Sequence, residues 1–253
     1  MVRRVRKVQQ ELFVTTRGKV KKAHGGKRKG AGRPVADGRT RPSERHGRRV
    51  RFKPSQPVHV TVRCVDAIHG LRRRLAYLAI RAATFAVTHR GENRDFRIVH
   101  LSIQRNHLHL ICEARDWEAL ARGMQGFQIS AARRLNRVFE REGGRVFADR
   151  YHAGVLATPR QVRNALAYVL NNWRRHGEDR RRAWTMDPFS SAAGFAGWSE
   201  RADNPFVPPL PAGYRGLITW FPKTWLLSVG WRRHRLISLT EVPGPIARMS
   251  AAG

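Results

Sequence analysis

The chain has 253 residues, of which 50 are Lys or Arg and 18 are Asp or Glu, so its formal net charge is +32. This length accommodates one large domain with extensions, and the charge favours polyanionic partners, above all nucleic acid. The only two cysteines, Cys64 and Cys112, lack C-x-x-C spacing, which excludes a zinc ribbon and a disulfide scaffold. No stretch has the length of a membrane span and no secretory signal is visible, so we expect a cytoplasmic, nucleoid-associated protein with no membrane partner.

Residues 1–56 are predicted to form a basic, disordered DNA-binding arm. Residues 1–53 contain 19 Lys or Arg and three acidic residues and show almost no hydrophobic periodicity, a composition typical of disorder. The Gly-rich part of the arm ends in Gly32-Arg33-Pro34, which loosely resembles an AT-hook, so Arg33 is a candidate for contact with a DNA minor groove. A plain phosphate-binding tail is the alternative.

Residues 57–180 carry the patterns of a folded catalytic domain. Alternating, β-branched residues predict a strand at 58–65. Further strands are predicted at 96–103 and 107–113, and residues 146–157 are extended again. The predicted helices are 69–89, 117–139, and a last one that starts at the Thr158 cap and Pro159 and runs to about residue 176. The order β-α-β-β-α-β-α predicts an α+β fold, a ferredoxin-like (split βαβ) antiparallel sheet with an additional C-terminal helix.

Two details of the helices and the chain end complete this outline. The first helix has a predicted apolar stripe of Leu71, Leu75, Leu78, Ile80 and Phe85. In the second helix, Gly123 and Gly126 indicate either close approach to DNA or tight packing.

Residues 181–253 are expected to form a loosely structured basic and aromatic extension, in which Arg232 and Arg233 are candidates for DNA contact. Docking of this segment on the core is the alternative.

The candidate chemistry centres on Asn106-His107-Leu108-His109-Leu110. Side chains alternate between the faces of a strand, so His107 and His109 point the same way, while Tyr168 and Asn172 share a face of the last helix. Two imidazoles, the Asn172 oxygen and waters suit Mg²⁺ or Mn²⁺, which would polarise a phosphodiester for attack by Tyr168.

Two further residues belong with this group. The rival tyrosine, Tyr151, is on an extended segment and is expected to pack or to stack on a base. His59, at a strand position, is a candidate for a supporting or DNA contact.

The segments NHLHLI, VFADRYH and LAYVLNNW together resemble the HUH single-tyrosine transposases, and among them most closely the REP-associated tyrosine transposases. The resemblance covers about residues 57–177. It implies that His107, His109 and Asn172 bind the metal and that Tyr168 is the nucleophile. It also implies cleavage and rejoining of single-stranded DNA at hairpin-flanked sites through a 5′-phosphotyrosine, without ATP. Where the family often has Asn-Pro, this chain has Asn172-Trp173.

The expected partner is therefore single-stranded or hairpin DNA, with a homodimer as a candidate assembly. Four arginines flank the proposed site and could hold phosphates of the scissile strand: Arg105, Arg150, Arg174 and Arg175. An HUH replication initiator or relaxase is an alternative, but Tyr168 follows the histidines and stands alone, which disfavours both. A non-catalytic ferredoxin-like nucleic-acid-binding protein is the other alternative, and it would favour exposed aromatic residues on the central strands.

Overall fold

The computed structural model of the protein describes residues 51–88, 95–180, 184–201 and 210–244. The helices and strands are β1 (Val58–Arg63), α1 (Arg74–Thr88), β2 (Phe96–Ile103), β3 (His107–Ala114), α2 (Trp117–Val138), β4 (His152–Val155), α3 (Pro159–Arg175) and the short α4 (Trp225–Ser228). The predicted order of the catalytic domain is thereby confirmed. Most of the basic arm, including Arg33, lies outside the described residues.

The four strands form one sheet in the order β2-β3-β1-β4, and every neighbouring pair is antiparallel. This is the strand order of the split βαβ plan, in which β3 lies between the two strands that α1 connects. The predicted α+β, ferredoxin-like class is therefore confirmed. In the register of the central pair, Thr61 lies opposite His109 and Arg63 lies opposite His107.

One face of the sheet packs against α1 and α2. Leu108, Leu110 and Cys112 point to this side and are fully buried, as their alternation with the histidines predicts. Gly123 of α2 lies directly over Phe96 of β2, where a Cβ atom would be only 2.1 Å from the aromatic ring. Tight packing is therefore the reason for this glycine.

The predicted apolar stripe of α1 is wrong in part. The helix begins at Arg74, and the side chains of Leu75 and Phe85 are 62% and 45% exposed. Its buried face consists of smaller residues with one tyrosine: Ala76, Tyr77, Ala79, Ile80, Ala83, Thr84 and Val87. Small residues let α1 approach its neighbours closely, and this packing, rather than the size of the side chains, decides which face is buried.

The opposite face of the sheet carries the histidines and is covered by α3. Here Ile111 of β3 packs in a second core with Leu166 and Leu170 of α3. The same core contains Trp198 and Trp231, which are fully buried. The expectation of a loosely structured extension beyond residue 181 therefore needs correction for its described parts. The outer side of α3 is also apolar, and these segments shield it from water.

The segments after α3 also cover the edge of the sheet at β2. The Ile103 N–H donates to the Phe189 carbonyl at 2.8 Å, and the Trp220 N–H donates to the Ile98 carbonyl at 2.8 Å. Exposed edges invite pairing with other chains, so this cover protects the sheet. Among the helices of the four described ranges, none combines the length and apolarity needed to cross a bilayer.

Candidate active site

The predicted histidine pair lies at the start of β3, on the face that α3 covers. The rings of His107 and His109 are perpendicular, with centroids 4.7 Å apart, and their Nε2 atoms are separated by 3.0 Å. Two ligands about 2.1 Å from one ion and at right angles to each other would be about 3 Å apart. The separation of the Nε2 atoms therefore suits joint coordination of a single ion.

Each imidazole is held through its other ring nitrogen. His107 Nδ1 is 2.9 Å from Asn106 Oδ1, and His109 Nδ1 is 3.2 Å from Thr61 Oγ1. A proton on Nδ1 satisfies both contacts and leaves the Nε2 lone pairs facing each other. Hydrogen bonds of this kind orient the ligands in metal sites.

Both histidines are neutral at neutral pH. Burial lowers the pKa of His107 to about 4, and the nearby charges of Arg63 and His176 act in the same direction. Burial also holds the pKa of His109 well below its usual range, with further contributions from His59 and His107. Neutral imidazole is the form that binds metal.

Tyr168 reaches the pair from α3. The helix starts at a capping box, in which Thr158 Oγ1 accepts from the Gln161 N–H and the Gln161 side chain accepts from the Thr158 N–H. The helix then crosses the histidine face, where the half-buried Tyr168 ring is 5.0 Å from the His109 ring and nearly perpendicular to it. Burial raises the pKa of Tyr168, while the Arg175 charge and the Asn172 amide lower it.

Asn172 is fully buried one turn after Tyr168. The amide is close enough to the phenol to affect the pKa of Tyr168, but with the residues that the structure describes neither Asn172 Oδ1 nor Nδ2 makes a hydrogen bond of normal geometry. Burying an amide without a partner costs free energy. The Asn172 side chain could recover this cost by contacting a bound ion or substrate. Across the described chain, no cluster of three or more His, Cys, Asp or Glu residues could hold a metal. The role of the Asn172 oxygen as a third metal ligand remains a prediction.

His59 has a more central position than the sequence indicated. Its ring stacks on His109 with centroids 5.3 Å apart and meets the edge of Tyr168 at 6.1 Å. The ring is buried, and its Nε2 has no hydrogen-bond partner among the described residues. Only the β1–β3 register brings His59 and Thr61 to this position, and no local motif marks either residue.

The arginines predicted to flank the site differ in their surroundings. Arg175 acts on the pKa of Tyr168, and Arg105 and Arg150 are exposed. Arg174 donates to the Leu239 carbonyl and to Asp179, so its guanidinium is used within the fold. Arg63, which sequence analysis missed, is exposed opposite His107.

The more distant pair is exposed on the C-terminal segment. Arg232 lies over the Trp231 ring and Arg233 over the Trp225 ring. The predicted DNA contacts of all these arginines remain predictions.

His59, His107, His109, Tyr168 and Asn172 lie together within one chain. A helix-borne tyrosine faces two strand histidines over one face of the antiparallel sheet. Together with a family match, this arrangement supports a DNA-processing enzyme of the HUH single-tyrosine class. Residues 76–172, about two fifths of the chain, match the family described as transposase IS200-like. None of the curated proteins compared with the chain matches it.

Two solved structures are similar to the chain. One is a REP-associated tyrosine transposase bound to a REP hairpin, with 16% identity, a TM-score of 0.46, and coverage of 70% of this chain and 95% of the other. The second is a protein from Deinococcus radiodurans R1 described as a transposase, with 13% identity, a TM-score of 0.33, and coverage of 46% of this chain and 87% of the other.

Proposed function

We propose that this transposase cleaves and rejoins single-stranded DNA at hairpin-flanked repeats through a covalent 5′-phosphotyrosine on Tyr168. The observation that carries the proposal is the Tyr168 ring 5.0 Å from His109, beside two Nε2 atoms 3.0 Å apart. Within α3 Tyr168 is the only tyrosine, which favours a single-nucleophile enzyme over an initiator with two tyrosines on that helix.

We further propose that His107, His109 and Asn172 hold Mg²⁺ or Mn²⁺. The neutral imidazoles and the unpaired Asn172 amide suit such an ion. When bound, the ion would polarise the scissile phosphodiester and stabilise the leaving oxygen. Asn106 and Thr61 keep the two imidazoles oriented through their Nδ1 atoms.

In the cleavage step Tyr168 Oη forms a bond to phosphorus, and the bond from phosphorus to the 3′ oxygen breaks. The phenol loses a proton, and the leaving 3′ oxygen takes one up and becomes a 3′-OH. Arg175 favours the phenolate, since its charge opposes the rise in the Tyr168 pKa that burial causes. Because the phosphotyrosine conserves the energy of the original bond, a 3′-OH can reverse the step and join strands without ATP.

The test is covalent capture of DNA. Purified protein is incubated with Mg²⁺ or Mn²⁺ and with single-stranded DNA that contains the imperfect palindromes flanking its gene. An SDS-stable adduct is expected for the wild type and for Tyr151→Phe, since Tyr151 is buried in the other core. Tyr168→Phe should form none, and an adduct that persists in this variant would disprove the assignment of the nucleophile.

A further inference from the structure

Residues 220–225 present three aromatic side chains to solvent. Trp220 is 39% exposed, Phe221 is 86% exposed and Trp225 is 47% exposed. Single exposed apolar residues are common on protein surfaces, but a concentration of them marks an interaction site. We call these three rings, together with Lys223 and Arg233, the aromatic platform.

Buried hydrogen bonds fix the backbone that carries the aromatic platform. The N–H groups of Lys223 and Thr224 donate to the Glu113 carboxylate at 3.0 and 2.8 Å. This carboxylate is almost completely buried and is paired with Arg97 at 3.2 Å. A buried charge is costly unless it is paired and hydrogen-bonded, and here those bonds fix the backbone that carries the exposed rings. Such preorganisation reduces the entropy lost on binding.

Positive charge accompanies the rings. The Arg233 guanidinium lies 4.8 Å from the centroid of the Trp225 ring, and Lys223 is exposed between the aromatic residues. Within the part of the chain that the structure describes, neither Lys223 nor Arg233 forms an ion pair with an acidic residue. Exposed rings that alternate with free cations match a ligand of stacked bases and phosphates.

The platform is close to the candidate active site. Glu113 follows His109 by four residues on the same face of β3, which corresponds to ~13 Å at about 3.3 Å per residue. Glu113, which holds the backbone of the platform, is thus on the same strand as the candidate active site, toward its other end.

We infer that the aromatic platform binds unpaired bases of the single-stranded DNA that continues from the strand at Tyr168. The inference rests on the proposed function for its substrate, but it concerns a separate surface whose binding can be measured without cleavage. A second copy of the chain is the competing occupant.

The experiment measures DNA binding by fluorescence anisotropy in EDTA, so that no cleavage occurs. One probe is a short oligothymidylate, and the other has the same length and charge but carries abasic spacers in place of bases. Phe221→Ala is the most informative variant, because this ring is largely exposed, whereas the Trp225 ring also packs on Gly230. Phe85→Ala, which removes an exposed ring from α1, is the matched control.

Loss of one stacked ring should weaken binding of the base-containing probe about fivefold or more. Binding of the abasic probe should not change, Phe221→Trp should retain affinity, and Phe85→Ala should behave like the wild type. Equal affinity of Phe221→Ala and the wild type for oligothymidylate would overturn the inference, as would an equal loss on both probes. A change of oligomeric state in light scattering, with DNA affinity unchanged, would assign the platform to a second copy.

Failure of the proposed function has a different signature. If no adduct forms on Tyr168 but Phe221→Ala still weakens binding of the base-containing probe, base binding by the platform is supported and the proposed cleavage through Tyr168 is disproved. If adducts form normally and Phe221→Ala binds both probes like the wild type, base binding by the platform is disproved and the proposed cleavage through Tyr168 is supported.

Discussion

Replacing Asn172 with leucine should make the metal-free protein more stable while it removes metal binding and strand cleavage. Asn172 is fully buried, and within the described ranges neither polar atom of its amide has a hydrogen-bond partner of normal geometry. An unpaired buried polar group costs about 1–3 kcal/mol, and leucine fills a similar volume without that cost. For a chain of this size, the gain corresponds to a rise in Tm of roughly 2–12 °C.

The assay is thermal unfolding in EDTA and in Mn²⁺. Mn²⁺ should raise the Tm of the wild type, because binding to the folded state adds stability, and it should leave the Tm of Asn172→Leu unchanged. Asn171→Leu is the matched control: Asn171 is equally buried on the same helix, but its Nδ2 donates to the Ser238 carbonyl at 2.9 Å. This variant should lose stability and keep the response to Mn²⁺. An Asn172→Leu protein that is less stable than the wild type in EDTA, or equally stabilised by Mn²⁺, would refute the reasoning.

Three other predictions concern the surroundings of the site. Thr61→Val removes the partner of His109 Nδ1 and should weaken Mn²⁺ binding about 10- to 100-fold in calorimetric titrations; unchanged affinity would show that the contact does not orient the ligand. Asp187→Ala leaves Arg72 without its buried carboxylate partner and should lower the free energy of unfolding by about 3–5 kcal/mol in urea titrations, whereas a loss below about 1 kcal/mol would contradict this. Burial lowers the pKa of His100 to about 4. Since the unfolded chain then binds more protons than the folded one between pH 4 and about 6.5, stability should fall as the pH falls through this window, and His100→Gln should reduce the slope of the urea midpoint against pH.

The sequence predicted those parts of the fold that depend on neighbouring residues. The apolar run FRIVHLSI placed β2 at Phe96–Ile103, the bounds found in the structure, and Thr158 with Pro159 marked the start of α3. These signals are local, because strand faces repeat every two residues and capping involves the first turn of a helix. The same local periodicity gave a buried face for α1 that is right for Ile80 and wrong for Leu75 and Phe85, because packing against the neighbouring elements decides it.

The C-terminal extension illustrates what local patterns leave out. Its composition, rich in Pro and Gly, resembles a linker, yet Trp198 and Trp231 are fully buried beside α3. The Trp198 Nε1–H donates to the Ala192 carbonyl at 3.0 Å, which satisfies the polar atom of the indole. These rings are buried against α3, which lies outside the segment. The periodicity within the segment therefore does not predict their burial.

The sequence by itself determined that His107 and His109 share one face of a strand and that Tyr168 and Asn172 share one face of a helix, since both facts follow from the periods of regular structure. Only the tertiary structure decided that these two faces meet, that the Nε2 atoms lie 3.0 Å apart, and that Thr61 and His59 contact His109. The physical reason is that such contacts join residues far apart in the chain, and they are set by sheet register and by the packing of α3 rather than by the residues next to each histidine.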